Sequence, residues 1–434
     1  MFDFSGFSVL TTGVWISFCA IICRNYKHSI MKVLMFGWEF PPHNSGGLGV
    51  ACAGLARALI RRGVGISFVL PRRMNASSDF LRIIFADDKN IKIEEVNSPL
   101  MPYITSEVYA RCFEDGAPGM YGASLFEEVR RYGVLARAIA RREAHNVIHA
   151  HDWLSFEAGV EAKKVSGKPL VVHIHATEFD RVGGGGVNQF VYDLEKYGME
   201  KADAVIAVSH FTKNIITNHY GILPEKVFVV HNGIDEEASW EAETAPAFLR
   251  FKEAGYGMAL FVGRITLQKG PDYFLRAAKR VLEYRPKTFF VIAGAGDMER
   301  QAIWEAAALG ISDKVFFAGF LRDGELAETY RAADIFVMPS VSEPFGITPL
   351  ESLMHGAPVL ISKQSGVSEV LAHAIKADFW DTEEMANKII AVLDHKPLQH
   401  CLAENGRNEA KRLTWGEAAR KCVEVYGRVL AMGF

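Results

Sequence analysis

The sequence lacks the signatures of several large protein classes. Its six cysteines are scattered over 434 residues with no CxxC pair, so no disulfide framework is indicated and a reducing, cytoplasmic location is expected. Neither sign of charge dominates, because 48 basic and 51 acidic residues leave a net charge of −3. This balance argues against nucleic acid as a partner. No Walker loop, GxSxG elbow, HExxH or kinase motif occurs. With 49% hydrophobic residues, the chain is not a largely disordered protein.

Residues 1–30 differ from the rest of the chain. An apolar run of 17 residues spans 7–23 and is followed by Arg24 and Lys27, whereas a membrane span needs about 20 apolar residues. Asp3 stands where a secretory signal carries positive charge. We expect a disordered extension or an upstream start codon, and the alternative is a short anchor with the body in the cytoplasm. Membrane contact is expected only if residues 7–23 form that anchor.

From Met31 onward, short apolar runs alternate with helical patterns. The runs are rich in Val, Ile and Phe without polar alternation, which is typical of a parallel sheet covered on both faces. The predicted strands are Lys32–Phe40, Ile66–Leu70, Val147–His151, Leu170–His175, Ala204–Ser209, Val227–His231, Ala259–Val262, Thr288–Ala293, Lys314–Gly319, Ile335–Pro339 and Val359–Ser362. Predicted helices between them include Gly49–Arg62, Ala123–Arg142, Gly270–Tyr284, Asp297–Leu309 and Gly324–Ala332.

The series of strands starts again near residue 258, after a polar stretch without strand signal. This restart predicts an α/β chain of two Rossmann-like, doubly wound domains. We place an N-terminal domain over 31–245, a C-terminal domain over 256–413 and a final amphipathic helix within 414–434. Two such domains face each other across a cleft at the carboxyl ends of their strands, where α/β proteins bind ligands.

A glycine turn follows the first predicted strand and opens a helix. Gly46 and Gly47 let backbone N–H groups approach an anion at the helix N-terminus, although a tight turn that needs positive φ explains the same glycines. The dinucleotide pattern GxGxxG is absent, and the second strand leads into Arg72 and Arg73 where a ribose-binding acid would stand. A dinucleotide-dependent oxidoreductase is therefore disfavoured.

Two cations follow the first strand of the second half. Arg264 lies directly after Gly263, and Lys269 stands five residues later, before a helix. Arginine offers a planar fork of donors and lysine a point charge, so the pair is suited to clamp a diphosphate. Two exposed basic residues without a ligand are the plainer alternative.

The segment EPFGITPLE follows the predicted strand IFVMPS and leads into a helix from Thr348 to residue 355. The helix dipole and the amides near Gly346 and Ile347 favour phosphate oxygens. Glu343 precedes this helix and Glu351 lies one turn into it, a spacing that suits contacts with two ends of an extended ligand. A helix cap and a solvated glutamate are the alternative.

Two His-x-His pairs end neighbouring predicted strands. They are His149 with His151 and His173 with His175, and residues i and i+2 of a strand share one face. Each pair lacks an obvious third ligand at metal-site spacing, so no metal is expected. Asp152 and His175 are candidates for the cleft because they end parallel strands. His149 and His173 are expected to be structural.

Together these segments resemble the retaining GT-B glycosyltransferases of family 4 and of the glycogen and starch synthase type. Four features match in order: WEFPPHNSGGLG, then HAHDW with VVHIHATEFDR, then GRITLQKG, and finally EPFGITPLE, the most specific of the set. The resemblance covers the chain from Met31 to its end. It implies a sugar-nucleotide donor held mainly by the C-terminal domain, with no metal and no cofactor.

The resemblance also implies roles for individual residues around the donor. Arg264 and Lys269 would hold the diphosphate and stabilise it as it leaves, together with the amides at 346–348. Glu343 would contact hydroxyls of the donor sugar, and Glu351 would contact the ribose.

Other roles implied by the resemblance concern the reacting carbon and the phosphates. His175 would place its backbone carbonyl at the oxocarbenium-like centre, and Asp152 would border the sugar or acceptor site. Ser365 would lie in a turn that closes near the phosphates, and Gly46 and Gly47 would line the donor site.

The expected function is transfer of glucose from ADP-glucose or UDP-glucose to the non-reducing end of an α-1,4-glucan, with retention. The GGLG loop and the HDW segment resemble synthases that extend α-glucans. The alternative is a family 4 hexosyltransferase that acts on a lipid or envelope-polysaccharide acceptor, and Asn44 favours it because bacterial glycogen synthases carry lysine there. A non-catalytic binding module would be expected to lack the clamp residues, which are present. The expected partners are a nucleotide sugar and a glucan or other glycan, without nucleic acid.

Overall fold

The computed structural model describes residues 31–41, 47–71, 82–85, 123–183, 185–235 and 246–432. Several features of the sequence lie outside these residues, namely the segment 1–30, Asn44, Gly46, Arg72 and Arg73. The described chain forms two parallel sheets with helices on both faces, which confirms the predicted α/β class. No helix among these residues is long and apolar enough to cross a membrane.

The first sheet contains seven parallel strands. They are β1 (Lys32–Phe36), β2 (Gly65–Leu70), β3 (Arg82–Phe85), β4 (Val147–His151), β5 (Leu170–Ile174), β6 (Ala204–Ala207) and β7 (Val227–Val229). Their order is β3-β2-β1-β4-β5-β6-β7, so the direction of winding reverses between β1 and β4. Such a switch point opens a ligand crevice at the carboxyl ends of the strands. All of β4 and β5 is buried, as the unbroken apolar runs predict.

The second sheet repeats this plan with six parallel strands. They are β8 (Gly257–Val262), β9 (Thr288–Ala293), β10 (Val315–Gly319), β11 (Ile335–Met338), β12 (Val359–Ser362) and β13 (Ile375–Ala377). The order is β10-β9-β8-β11-β12-β13, and the switch point lies between β8 and β11. The two predicted phosphate-binding segments, GRITLQKG and EPFGITPLE, follow these two strands directly, which explains why they come together.

The helices pack on both faces of each sheet. They are α1 (Gly47–Arg61), α2 (Ala123–Arg142), α3 (Trp153–Ser166), α4 (Glu178–Arg181), α5 (Gln189–Lys201), α6 (His210–Tyr220), α7 (Pro246–Glu253), α8 (Pro271–Tyr284), α9 (Glu299–Ala308), α10 (Asp323–Ala332), α11 (Thr348–Met354), α12 (Thr382–Asp394), α13 (Lys396–Ala410) and α14 (Trp415–Ala431). Short 3-10 turns stand at Pro224–Lys226, Leu267–Lys269, Ser312–Lys314 and Gly366–Glu369.

The ends of several elements differ from the prediction. The first strand ends at Phe36 rather than Phe40, and the next helix starts at Gly47 rather than Gly49. The strands predicted to end at His175, Ser209, His231 and Pro339 all end earlier in the structure. The helix predicted to reach residue 355 ends at Met354. Neither β3 nor β13 was predicted, because each is a short edge strand of four or three residues with partly exposed side chains.

The last helix, α14, returns to the first sheet and packs against α1. Gly54 permits this contact, because a Cβ atom there would lie 2.4 Å from the Trp415 ring. The two chain segments that join the sheets run side by side, where the Ile234 N–H donates to the Leu413 carbonyl at 2.9 Å. The chain therefore crosses between the sheets twice at one place.

Candidate active site

Asp152 stands at the carboxyl end of β4 in a strained backbone conformation. Its φ is 57° and its ψ is 167°, a region that glycine favours and that costs another residue on the order of 1–3 kcal/mol. Its Oδ1 accepts hydrogen bonds from the backbone N–H groups of His175 at 2.7 Å and Ala176 at 3.4 Å. The strained residue thus holds the loop that follows β5, and the two predicted cleft residues are in direct contact.

A buried ionic network, formed by Arg181, Glu195 and Tyr220, supports the same loop. The Arg181 guanidinium donates to the Ala176 carbonyl at 2.7 Å and to Glu195 at 2.8 Å, and the Tyr220 hydroxyl donates to Glu195. Burial raises the pKa of Asp152 to about 7, while the charge of Arg181 acts in the opposite direction. The sequence alone gives these residues no role, because only their burial, which it does not reveal, distinguishes them from ordinary surface residues.

The four histidines of the two His-x-His pairs form one stack on the face of the sheet covered by α1 and α14. Ring centroids lie 4.3 Å apart between His149 and His151, and 4.2 Å apart between His173 and His175. His149 Nδ1 lies 2.7 Å from the Tyr426 hydroxyl, and His151 Nδ1 lies 3.0 Å from His175 Nε2. Burial lowers the pKa of His149 and of His175 to about 3 each, so both rings are neutral at pH 7.

The fold brings together metal-ligating side chains that no spacing in the sequence connects. Donor atoms of His149, His151 and His173 lie within 4.8 Å of one another, because β4 and β5 are neighbours in the sheet. Donor atoms of Cys52, His151 and His175 form a second such group. Cys52 lies on α1, far away in sequence, and no spacing motif could have revealed it.

Lys269 and Glu343 form an ion pair at the carboxyl ends of β8 and β11. Lys269 Nζ lies 2.5 Å from Glu343 Oε2, and the Ser340 hydroxyl donates to the same oxygen at 3.1 Å. The Arg264 guanidinium lies nearby in the chain and donates to Gln268 at 3.3 Å. The structure therefore places the cation predicted for the diphosphate directly beside the carboxylate predicted for the donor sugar.

The segment after Glu343 turns into α11. Gly346 has a φ of 100°, a conformation that favours glycine, and Ile347 leads directly into Thr348, the first residue of the helix. Glu351 Oε2 accepts a hydrogen bond from the Tyr330 hydroxyl at 3.0 Å, and burial raises the pKa of Glu351. Glu351 is therefore a partly buried carboxylate with an attached donor rather than a freely solvated one.

Ser365 lies beside Glu343 in an isolated parallel bridge. The Glu343 N–H donates to the Gln364 carbonyl at 3.0 Å, and the Gly366 N–H donates to the Glu343 carbonyl at 2.9 Å. The Ser365 hydroxyl donates to the Ser362 carbonyl at 2.6 Å. The turn predicted to close near the phosphates thus fixes the backbone of Glu343.

At the glycine loop, Gly47 is the first residue of α1, and Gly46 lies outside the described residues. The Gly49 N–H donates to the buried Glu39 carboxylate at 2.8 Å. The Glu39 carboxylate thus already accepts a hydrogen bond from one amide at the N-terminus of α1. This is the helix end that was predicted to bind the donor.

Hydrogen bonds join the loops of the two sheets. The Ser342 hydroxyl donates to Asp180 Oδ1 at 2.5 Å, and the Ser209 hydroxyl donates to the Pro344 carbonyl at 2.5 Å. Both bonds link a residue of the first half to the segment around Glu343. The segment that follows His175 and the segment around Glu343 are therefore in contact.

Two protein families match the chain. The family described as Glycosyltransferase Family 4 matches residues 45–238, and the one described as Glycosyl transferases group 1 matches residues 249–409. An uncharacterized glycosyltransferase of Methanocaldococcus jannaschii is 29% identical over 93% of this chain and 99% of its own.

Two relatives with named products are also similar. A glycogen synthase of Mycobacterium tuberculosis is 27% identical over 91% of this chain and 94% of its own. An alpha-maltose-1-phosphate synthase of Mycolicibacterium smegmatis is 32% identical over 67% of this chain and 80% of its own. Among solved structures, a sucrose-phosphate synthase of Thermosynechococcus elongatus superposes with a TM-score of 0.75 at 19% identity, over 93% of this chain and 100% of its own. That likeness concerns the fold.

Proposed function

This chain belongs to the glycosyltransferases of family 4 and group 1, with the GT-B fold, and we propose that it is an α-glucan synthase. It transfers glucose from ADP-glucose or UDP-glucose to the non-reducing end of an α-1,4-glucan, with retention at the anomeric carbon. The relative named for glycogen supports this acceptor class, since it aligns over 94% of its own length.

One observation carries the proposal: the loop that bears His175 is tied to the loop that bears Glu343. Ser342 donates to Asp180 at 2.5 Å. Ser342 directly precedes Glu343, and Asp180 follows His175 by five residues. Residues proposed for the donor and residues proposed for the reacting carbon therefore share one cleft, as a transfer between two bound substrates needs.

On the donor side, Arg264 and Lys269 would hold the diphosphate. Negative charge builds on the departing phosphate oxygen as the bond to the sugar breaks, and preorganised cations stabilise that charge most in the transition state. Lys269 is paired with Glu343, so a phosphate oxygen on the lysine and a sugar hydroxyl on the carboxylate would be neighbours. That arrangement suits a hexose bonded directly to a diphosphate, while Glu351 would bind the ribose.

At the reacting carbon, the His175 backbone carbonyl would face the oxocarbenium-like centre, and Asp152 would border the acceptor. The acceptor oxygen bonds to the anomeric carbon as the carbon–oxygen bond to the phosphate breaks, and the acceptor proton passes to the leaving phosphate oxygen. Attack and departure on one face retain the configuration. The His175 ring is neutral because burial lowers its pKa to about 3, so it adds no positive charge beside a cationic centre. The step needs neither a metal nor a separate base.

The test is to incubate the full chain with ADP-glucose and, separately, with UDP-glucose, each with and without glycogen or maltooligosaccharides. Release of nucleoside diphosphate and the length of the oligosaccharides are measured, with Lys269→Ala as the inactive control. Release that depends on glucan, with longer chains, is the expected result and identifies the donor. Hydrolysis of either donor without chain extension would overturn the glucan acceptor and direct the search to lipid or envelope acceptors.

A further inference from the structure

The histidine stack, defined as His149, His151, His173 and His175, has many ring nitrogens without a partner among the residues that the structure describes. Five of its eight ring nitrogens are buried and make no hydrogen bond within the described part of the chain, namely His149 Nε2, His151 Nε2, His173 Nδ1 and Nε2, and His175 Nδ1. Leaving a buried polar group unpaired costs about 1–3 kcal/mol. Five such atoms in one cluster are unusual in a native core, so the stack is costly to bury for packing alone.

Cys52 brings a thiol to the same cluster. Its donor atom and those of His151 and His175 lie within 4.8 Å of one another. His151 Nδ1 and His175 Nε2 are hydrogen-bonded to each other at 3.0 Å, close to the separation of about 3.3 Å between two nitrogens on one tetrahedral zinc ion. An ion at this place would replace that hydrogen bond with two bonds to the metal. Small rotations about the side-chain bonds would bring all three donors to a single ion.

From this juxtaposition we infer that Cys52, His151 and His175 form a binding site for one Zn²⁺ ion, and that occupation of this site inhibits the enzyme. One sulfur and two imidazole nitrogens are the donors that zinc prefers, and a site with three protein ligands keeps one position open. As the zinc–sulfur bond forms, the thiol proton leaves to solvent. The inhibitory half of the inference rests on the proposed function, because it needs His175 to act at the reacting carbon.

The chemical state of the cluster suits a metal. Burial lowers the pKa of His151 and of His175, so both imidazoles are in the neutral form that ligates. Burial also raises the pKa of the Cys52 thiol, so zinc has to displace a tightly held proton there.

Access to the site leads through the cleft. His175 is the most exposed of the three ligands at 8%, whereas Cys52 and His151 are fully buried. An ion entering past His175 would draw the ring toward Cys52 and strain the loop that Asp152 holds through the His175 N–H. The backbone carbonyl of His175 would then leave the position proposed for it.

The test is titration of the metal-free full chain with Co²⁺, a spectroscopic substitute for Zn²⁺. We expect one equivalent to bind with a thiolate-to-cobalt charge-transfer band, and we expect Zn²⁺ to displace it. Cys52→Ala should abolish the band and weaken binding more than the roughly 10–100-fold typical of losing an outer-shell partner. Cys422→Ala is the matched control, since Cys422 is a second fully buried thiol, on the neighbouring helix α14.

Thermal unfolding confirms that each variant is folded, and His151→Gln provides a second ligand variant should Cys52→Ala fail to fold. A band of equal strength in wild type and Cys52→Ala, or no band in wild type, would overturn the site. Binding of Zn²⁺ that leaves glucosyl transfer unchanged would overturn its inhibitory role. The cobalt spectrum needs no donor or acceptor, so a failure of the proposed function leaves this result readable.

Discussion

The Ser342 hydroxyl donates a hydrogen bond to the buried Asp180 carboxylate at 2.5 Å, and the two residues are 162 positions apart in the chain. Asp180 also accepts from the backbone and side chain of Thr177, two residues after His175. Burial raises the pKa of Asp180, while the Ser342 and Thr177 donors act in the opposite direction. This carboxylate thus joins the loop that follows His175 to the segment that carries Glu343.

We expect Ser342→Ala to lower both stability and activity. Removal of the hydroxyl leaves a buried carboxylate oxygen with one donor fewer, which costs about 1–3 kcal/mol. Urea unfolding and the initial rate of donor turnover measure the two effects. Ser166→Ala is the control, because the Ser166 hydroxyl donates to the Ala162 carbonyl and accepts from the Lys168 N–H, both local contacts at the end of α3. Equal effects of the two substitutions would mean that the hydrogen bond between Ser342 and Asp180 contributes no more to stability and activity than a local bond at the end of a helix.

Lys269→Ala and Arg264→Ala should each reduce turnover while the fold survives. Loss of one preorganised contact to developing charge typically costs on the order of 10²–10³ in rate. Steady-state kinetics with a saturating donor gives the effect, and circular dichroism shows whether the fold is intact. Arg300→Ala, an exposed residue on α9, should leave the rate unchanged. Activity close to wild type in either clamp variant would remove the diphosphate clamp from the mechanism.

Glu343→Gln should weaken hydrolysis of the donor and transfer to the acceptor in parallel. The substitution keeps the shape of the side chain but removes the charge that pairs with Lys269 at 2.5 Å, and an amide binds sugar hydroxyls less strongly than a carboxylate. Rates of both reactions are compared across donor concentrations. A change confined to the Michaelis constant for the acceptor would show that Glu343 does not contact the donor sugar.

Asp152 should make the protein less stable as the pH rises from about 4 to 7. Its pKa is raised by burial to about 7, above the ordinary value of 3.8, so the folded state binds the proton more tightly than the unfolded state. Its contribution is therefore full below pH 4 and decreases up to pH 7, by at most about 1.4 kcal/mol per pH unit. Urea unfolding at several pH values should show a smaller decrease in Asp152→Asn than in wild type. Parallel curves for the two proteins would refute the raised pKa.

Chelation should leave glucosyl transfer intact. Cations and amides of the protein are proposed to stabilise the leaving diphosphate, so EDTA in the assay should not lower the rate, and removal of contaminating zinc should raise it. The measurement is nucleoside diphosphate release with and without EDTA, followed by addition of Mg²⁺ or Mn²⁺. A rate lost with EDTA and restored by either ion would contradict the metal-free step.

The sequence by itself determined the class of fold and the position of the candidate residues along it. Runs such as MALFV and FFVIA are apolar without alternation because both faces of their strands are covered. Residues at or just beyond the ends of the predicted strands, including His175 and Arg264, had to lie at the carboxyl edge of a sheet. Periodicity reports burial within one element, so it located these positions without any tertiary information.

Only the tertiary structure decided which of these residues meet. The pairing of Lys269 with Glu343, the stack of four histidines with Cys52, and the burial of Arg181 with Glu195 all join residues from different elements. Such contacts depend on strand order, on the register between β4 and β5, and on the return of α14 to the first sheet. No local pattern encodes them, because a side chain's partner is set by the packing of elements that lie far apart in the chain.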